Sequence, residues 1–254
     1  MLSNFKNKRI FITGSTGFKG TWLSYILTSS GAKVMGYALP QMVNEKSHYN
    51  DLKLKSKMTQ IEGDIRNREE LISAVQKFEP DYVFHLAAQA LVRPSYNDPH
   101  NTFETNVMGS VNILDAVLAT KSVRALVYVT SDKCYENNEW VWGYRENDRL
   151  GGRDPYSASK AAAEHVFFAY FKSFIEMNSQ LGAASVRAGN VIGGGDWSVD
   201  RIVPDCIRCI DQDIPITLRN PLATRPWQHV LEPLSGYLLL ALKLYSNPSK
   251  FSGL

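Results

Sequence analysis

With 254 residues, 44% of them hydrophobic and 21% charged, the chain is long enough for one large α/β domain or one domain with a smaller appendage. A formal charge of +3, from 28 basic and 25 acidic side chains with no long basic run, argues against a nucleic-acid partner. There is no apolar signal core at the N-terminus and no stretch reaching roughly 18 apolar residues, which argues against a membrane span; three sparse cysteines, Cys134, Cys206 and Cys209, suit a reducing compartment. The chain therefore reads as cytoplasmic.

The first element is the apolar strand RIFIT (9–13), and the turn that follows it is rich in glycine. ITGSTGFKG sets Gly14, Gly17 and Gly20 between that strand and a helix expected over 18–29. Glycine permits a tight turn and close approach of a pyrophosphate, and the helix N-terminus adds unpaired N–H groups and a favourable dipole. The spacing is G-x-x-G-x-x-G, one residue longer than the dinucleotide fingerprint, yet its place between strand and helix favours a dinucleotide site.

A second strand is expected at KVMGYAL (33–39), where neither an acid nor an arginine follows to choose between NAD and NADP. Residues 40–57 are polar and poorly periodic, and read as a loop with at most one short helix. MTQIEG (58–63) is the third strand, and Asp64 at its end is placed to accept from an adenine amino group. As the cap of the next helix, 67–78, Asn67 is the better residue. DYVFHLAA (81–88), ALVYVTS (125–131) and AASVRAG (183–189) complete the strands, with helices expected over 101–120 and 155–178. This alternation predicts a Rossmann-type, doubly wound parallel sheet covered on both faces.

Beyond about residue 190 the texture changes to glycine, proline and arginine, as in a smaller substrate-facing region. The division expected is 1–189 for the dinucleotide domain with its catalytic residues and 190–254 for a partial, interleaved substrate region. Cys206 and Cys209 lie three apart without a second ligand pair, so two thiols on one helix face is the simpler reading and no metal is expected. An amphipathic helix is expected over 232–246. The closing FSGL looks like the approach to another strand, as though the region were truncated.

Two stretches carry chemistry. DPYSASKAAAEH puts Tyr156 and Lys160 four apart on one helix face. A phenol with a pKa near 10 is no base at neutral pH, but an adjacent ammonium and an oxidised nicotinamide both favour the phenolate. VTSDKCY closes the fifth strand with Ser131, Asp132 and Lys133 at the carboxyl edge, where open α/β sheets hold their ligands.

TGSTGFKG, GDIR, HLAAQ, TNVMG, VTSDKCY, YSASK and RAGNVIGGGDW together resemble the extended short-chain dehydrogenase/reductase superfamily. Within it, TGFKGTWL, LVRPSY, TSDKCYEN, DRIVPD and RNPLATRPWQHVLEPL look like the nucleotide-sugar 4,6-dehydratases, in the branch that takes CDP-glucose. The resemblance implies a lyase with a held NAD: C4 oxidation, loss of water across C5 and C6, and return of hydride to C6, in deoxysugar and cell-surface polysaccharide synthesis. By the same resemblance Tyr156 removes the C4 hydroxyl proton, Lys160 tunes the phenol and holds the nicotinamide ribose, and Ser131 orients the oxygen.

Better-known relatives carry an Asp-Glu dyad where this chain has Asp132-Lys133. Asp132 is a plausible acid if burial raises its pKa. Lys133 is the base only if its own pKa is depressed; otherwise it polarises the C4 oxygen or pairs with Asp132, and Glu136 is a nearby substitute.

The resemblance also implies cofactor contacts at Gly14, Thr16, Gly17, Phe18, Gly20, Asp64, Ile65, Leu86, Ala87, Ala88 and Gln89. Substrate contacts are implied at Arg93, Asn190, Arg201, Arg225 and His229. His85 reads as a packed strand residue, Asn106 as a structural helix asparagine and Trp227 as core or lid packing. A homodimer through 101–120 and 155–178 is implied as well. The competing readings are another nucleotide-sugar dehydratase or an epimerase, against which the Asp132-Lys133 dyad argues, and an NAD-binding protein without turnover.

Overall fold

The structure is a computed structural model and describes residues 1–41 and 46–253. In chain order it runs β1 (Arg9–Thr13), α1 (Phe18–Ser29), β2 (Lys33–Ala38), α2 (His48–Asp51), β3 (Thr59–Glu62), α3 (Arg68–Phe78) and β4 (Tyr82–His85). Then come α4 (Val92–Asn97), α5 (Pro99–Phe103), α6 (Gly109–Leu118), β5 (Ala125–Val129), α7 (Pro155–Tyr170) and β6 (Gly182–Val186). The chain continues through β7 (Asn190–Ile192), α8 (Ile202–Asp211), β8 (Trp227–His229), α9 (Leu231–Ser246) and α10 (Pro248–Phe251). The order of the six-stranded sheet is β3-β2-β1-β4-β5-β6, and every pairing in it is parallel. The winding reverses between β1 and β4, so a crevice opens there at the carboxyl ends of the strands.

Side chains alternate across this sheet and build a core on each face. Phe11 of β1 joins Leu71, Ile113, Leu126 and Phe167 beneath α3, α6 and α7. Its neighbours Ile10 and Ile12 join Leu23, Leu27, Leu234 and Leu238 beneath α1 and α9. Each such burial stabilises by roughly 1.5–3 kcal/mol.

All six strands lie where the hydrophobic runs predict them, and α1 and α3 match their expected spans within a residue. Asn67 caps α3, its side chain accepting from the Glu70 N–H at 3.3 Å. The single helix expected over 101–120 is instead two helices around a π-helical turn at Glu104–Met108. It begins earlier because Asp98 accepts from the Asn101 N–H at 3.0 Å and Pro99, at the first helical position, needs no donor. A second π turn, Phe171–Ile175, ends the helix expected over 155–178. The polar 40–57 segment holds α2 and a short 3-10 turn at Leu54–Ser56, while residues 42–45 of that expectation lie outside the described residues. Helix α4 falls in a stretch to which periodicity assigned nothing.

After β6 the chain forms a separate two-stranded parallel sheet, β7 with β8, with α8 between them in sequence. It then returns: Val230, Leu234, Leu238, Ala241 and Leu244 of the α9 segment are buried in the core of the first sheet. Gly253 makes a parallel bridge with Ala184 on β6, its N–H bonding the Ala183 carbonyl at 2.9 Å. Among the described residues, no helix is long and apolar enough to cross a membrane and no group of side chains has metal-ligand geometry.

Candidate active site

The crevice at the β1–β4 reversal is shaped by glycine. Gly14 has φ +70°, and a Cβ there would meet the Ala87 nitrogen at 2.8 Å. A Cβ on Gly20 would run into the Gly14 carbonyl, so α1 starts against the turn only without side chains. Gly17 caps α1 with no side-chain hydrogen bond, which leaves the N–H groups of Phe18 and Lys19 for an anionic ligand. Leu86 and Ala88, just beyond β4, line the same hollow. A dinucleotide diphosphate fits this cradle because the turn is bare of side chains at Gly14, Gly17 and Gly20 and the helix end supplies its donors.

Elsewhere the expected cofactor contacts divide. Ile65 is buried core against Gly109. The carboxylate of Asp64 accepts from the backbone N–H of Arg66 and from its guanidinium, each at 2.9 Å, and this arginine holds its carboxyl below the usual range. The side chain of Gln89 is spent on structure: its Nε2 donates to the Leu91 carbonyl and to Thr102, both at 3.0 Å. Asn106 braces the same residue, donating to the Gln89 carbonyl at 3.0 Å and to Ser159 Oγ at 2.8 Å.

The catalytic candidates converge on one cavity of about 740 Å³, lined by Ser131, Asp132, Lys133, Tyr156 and Lys160. Ser131 leaves β5 in an extended conformation and caps the 3-10 turn Asp132–Cys134. Its Oγ donates to Asp132 Oδ1 at 3.1 Å and accepts from the Lys133 N–H at 3.3 Å. Tyr156 sits in the first turn of α7, where Asp154 accepts from the Ser157 N–H at 2.9 Å and Pro155 takes the first helical position. The backbone N–H of Tyr156 donates to Ser95 Oγ at 3.1 Å, which ties α7 to α4.

Burial dominates the electrostatics. It pushes the Tyr156 phenol up, against the Ser131 hydroxyl beside it and, more weakly, Arg201. It brings the Lys160 ammonium down to about 8, helped by the charge of Lys19 and opposed by Glu164. Lys19 itself falls to about 8 through burial and Arg201, with Asp132 acting the other way. His85 is 3% exposed, bonds Thr13 Oγ1 through Nδ1 at 2.8 Å, stacks on Tyr128 and drops to about 3 on burial. Its packed-strand role matches the sequence reading.

The same cavity is lined by Arg93, Asn190, Arg201, Arg225 and Trp227. Arg93 pairs with Asp200 at 3.0 Å and Arg201 with Asp196 at 2.8 Å, while Arg225 donates to the Thr224 carbonyl at 2.6 Å. His229 lies outside the lining, on β8, with its Nδ1 accepting from the Leu231 N–H at 3.4 Å. Glu136 also points away and pairs with Arg149 at 3.1 Å, so it is no neighbour of the reacting groups. Trp227 is 47% exposed and faces the hollow, which removes the core part of its expected role.

Sequence reasoning passed over Lys19, Ser95, Glu164 and Arg187. The spacing of Glu164, four residues past Lys160 and eight past Tyr156, is the one signal that marks it out.

A doubly wound dinucleotide fold with a serine at the end of β5 and a tyrosine-lysine pair on α7 defines an extended short-chain dehydrogenase/reductase. Within that class the family model for GDP-mannose 4,6 dehydratase matches residues 11–243, and the chain belongs to that family. It is 51% identical over 252 residues to the CDP-glucose 4,6-dehydratase of Salmonella typhimurium, covering 98% of this chain and 70% of that enzyme. A dTDP-glucose 4,6-dehydratase from Streptomyces venezuelae, solved with NAD and TYD bound, superposes with a TM-score of 0.80 at 21% identity, covering 95% of this chain and 73% of that one. The UDP-glucose 4-epimerase of Thermus thermophilus, in complex with NAD, is 28% identical with a TM-score of 0.77, covering 92% and 74%.

Proposed function

We propose that this chain is an NAD-dependent nucleotide-sugar 4,6-dehydratase that converts CDP-glucose to CDP-4-keto-6-deoxyglucose. The observation that carries the reading is the meeting of Ser131, Asp132, Lys133, Tyr156 and Lys160 around one cavity, beside a cradle that fits a dinucleotide diphosphate. The likeness to the Salmonella enzyme supports the choice of CDP-glucose, and the NAD in the Thermus structure supports the choice of cofactor.

Bound NAD supplies the hydride acceptor at C4 and the donor at C6, so no net redox occurs. The Ser131 hydroxyl opposes the burial that disfavours the Tyr156 phenolate, Lys160 one helical turn further on adds its ammonium to the same site, and Tyr156 takes the C4 hydroxyl proton. Ser131 holds that oxygen in place. The resulting 4-keto group acidifies the C5 proton, and Asp132 and Lys133 are the groups at hand for removing it and protonating the departing C6 hydroxyl. Arg93, Arg201 and Arg225 line the same cavity, where their guanidinium forks suit a diphosphate. In this division, residues 1–189 hold NAD and the catalytic groups while 190–254 contribute part of the nucleotide-sugar site.

The enzyme works in the cytoplasm as a homodimer. Two segments expected to meet across the dimer expose Phe103 and Met108 on one side and Phe168, Phe174 and Met177 on the other. Phe174→Glu is expected to convert dimers to monomers in analytical ultracentrifugation; an unchanged mass removes that interface.

Incubation with NAD and CDP-glucose is expected to yield a nucleotide sugar lighter by one water, with a keto group at C4 and a methyl group at C6. Inversion at C4 without loss of water supports an epimerase, and NAD binding without turnover supports a dinucleotide-binding protein.

A further inference from the structure

Behind the catalytic groups lies a buried charge pair that no step above uses. Glu164 is fully buried, and the Arg187 side chain is 7% exposed. Their carboxylate and guanidinium meet at 2.8 Å. Glu164 also accepts from the Thr130 hydroxyl and, at 2.9 Å, from Ser185, so one carboxylate joins α7 to the ends of β5 and β6. Thr130 immediately precedes Ser131. Arg187 donates in turn to the Tyr135 hydroxyl at 2.9 Å and to the Glu146 carbonyl at 2.8 Å, gripping the arm that follows Lys133. A buried ion pair gains little over well-packed apolar side chains, so stability alone is a weak reason for it.

The position of Glu164 gives a stronger one. It lies one helical turn beyond Lys160, on the same face of α7. The titratable groups that act on Lys160 are Lys19 from α1, His85 from β4, Cys134 from the turn after β5 and Glu164 from its own helix, with Tyr156 one turn earlier and Asp132 sharing its cavity. Of the two carboxylates, Glu164 is the one on the same helix face as Lys160 and the one that acts on it. We propose that Glu164, held by Arg187, is a positioning residue for the catalytic centre: it keeps Lys160 charged and fixes Thr130, and with it Ser131, against the catalytic helix.

This inference rests on the dehydratase reading for its catalytic meaning, but its first test does not need turnover. The protein is labelled with 13C at the lysine Cε atoms, and the Lys160 resonance is assigned by its loss in Lys160→Arg. In Glu164→Gln the titration midpoint of Lys160 is expected to fall by roughly half a pH unit or more, since an opposite charge one turn away has been removed. Should Gln beside an unpaired Arg187 prevent folding, the double variant Glu164→Leu/Arg187→Met removes both charges and is expected to lower the midpoint by less, since Glu164 lies one turn from Lys160 and the loss of the Arg187 charge offsets part of the effect. A midpoint unmoved in the variant that folds overturns the proposal. In the turnover assay, kcat is expected to fall roughly tenfold while KM for CDP-glucose stays within about twofold, as for a group acting through others. An unchanged kcat also overturns it. If Lys160 shifts while the wild-type chain leaves CDP-glucose untouched, the dehydratase reading fails and the charge relationship stands.

Discussion

The Asn106 side chain grips the backbone of Gln89 at both of its polar groups, accepting from the N–H at 2.8 Å and donating to the carbonyl at 3.0 Å. A third bond, to Ser159 Oγ at 2.8 Å, carries this brace to the catalytic helix. One buried amide therefore ties the segment after β4 to α7. Asn106→Leu removes the side-chain partner of the Gln89 N–H and carbonyl in the interior, while Ser159 Oγ keeps its bond to the Tyr156 carbonyl at 2.7 Å. The cost expected is roughly 2–4 kcal/mol, from hydrogen bonds worth about 1 kcal/mol each and the desolvation of the groups left behind. A clear fall in thermal midpoint is expected, and a midpoint within experimental error of wild type contradicts the brace.

Gly14→Val adds a branched side chain at φ +70°, where the first added carbon already meets Ala87. NAD affinity measured by titration calorimetry is expected to drop at least about tenfold, because the turn must open to make room. Retention of wild-type affinity dissociates this turn from the cofactor.

Asp132 and Lys133 separate the oxidation and elimination steps. Asp132→Asn and Lys133→Met are each expected to leave NAD binding intact and to permit C4 oxidation, seen as reduced-nicotinamide absorbance in a single turnover. Release of the dehydrated sugar is expected to slow by about 10²-fold or more, the scale of a lost general acid or base. The variant that builds up more reduced cofactor marks the residue on which elimination depends more. Full dehydration by both variants assigns elimination to other groups.

The pH dependence follows from two buried bases. With Lys160 at about 8, activity is expected to fall as pH rises through that value, since loss of the ammonium withdraws support from the Tyr156 phenolate. A flat profile through this range counts against that role. His85, at about 3, lies below its usual 6.5, so the unfolded chain binds a proton that the folded chain refuses. Stability from this group is complete above pH 6.5 and is lost as pH falls toward 3, by about 1.4 kcal/mol per unit within that window. Thermal melting of His85→Gln against wild type checks it, and the variant is expected to show the shallower acid slope.

The strands were legible because parallel strands buried on both faces are continuous apolar runs, as RIFIT and ALVYV are. Tyr156, Lys160 and Ser131 were legible from position, each at the start of a helix or the end of a strand. The π turns were not, since Glu104–Met108 has the same side-chain pattern as an ordinary helix and is set by the tertiary bonds of Asn106. Nor was the engagement of Gln89, because whether an amide faces a ligand or its own backbone depends on Thr102 and Leu91 across a turn. Glu136 lies three residues past Lys133, but the chain turns after Cys134 and sends Glu136 to Arg149.

Helix α9 returns to the core of the first sheet after the excursion through β7, α8 and β8. Both ends of that excursion are thereby moored, at Val186 on β6 and at Val230 before α9. Between those moorings it is a span with two guy-lines, the Arg93–Asp200 pair and the bond from Trp22 Nε1 to the Gly194 carbonyl. It lends the cavity Asn190, Arg201 and Arg225 while contributing no strand to the six-stranded sheet, so substitutions along it change what the cavity presents and leave the pairing of that sheet as it is.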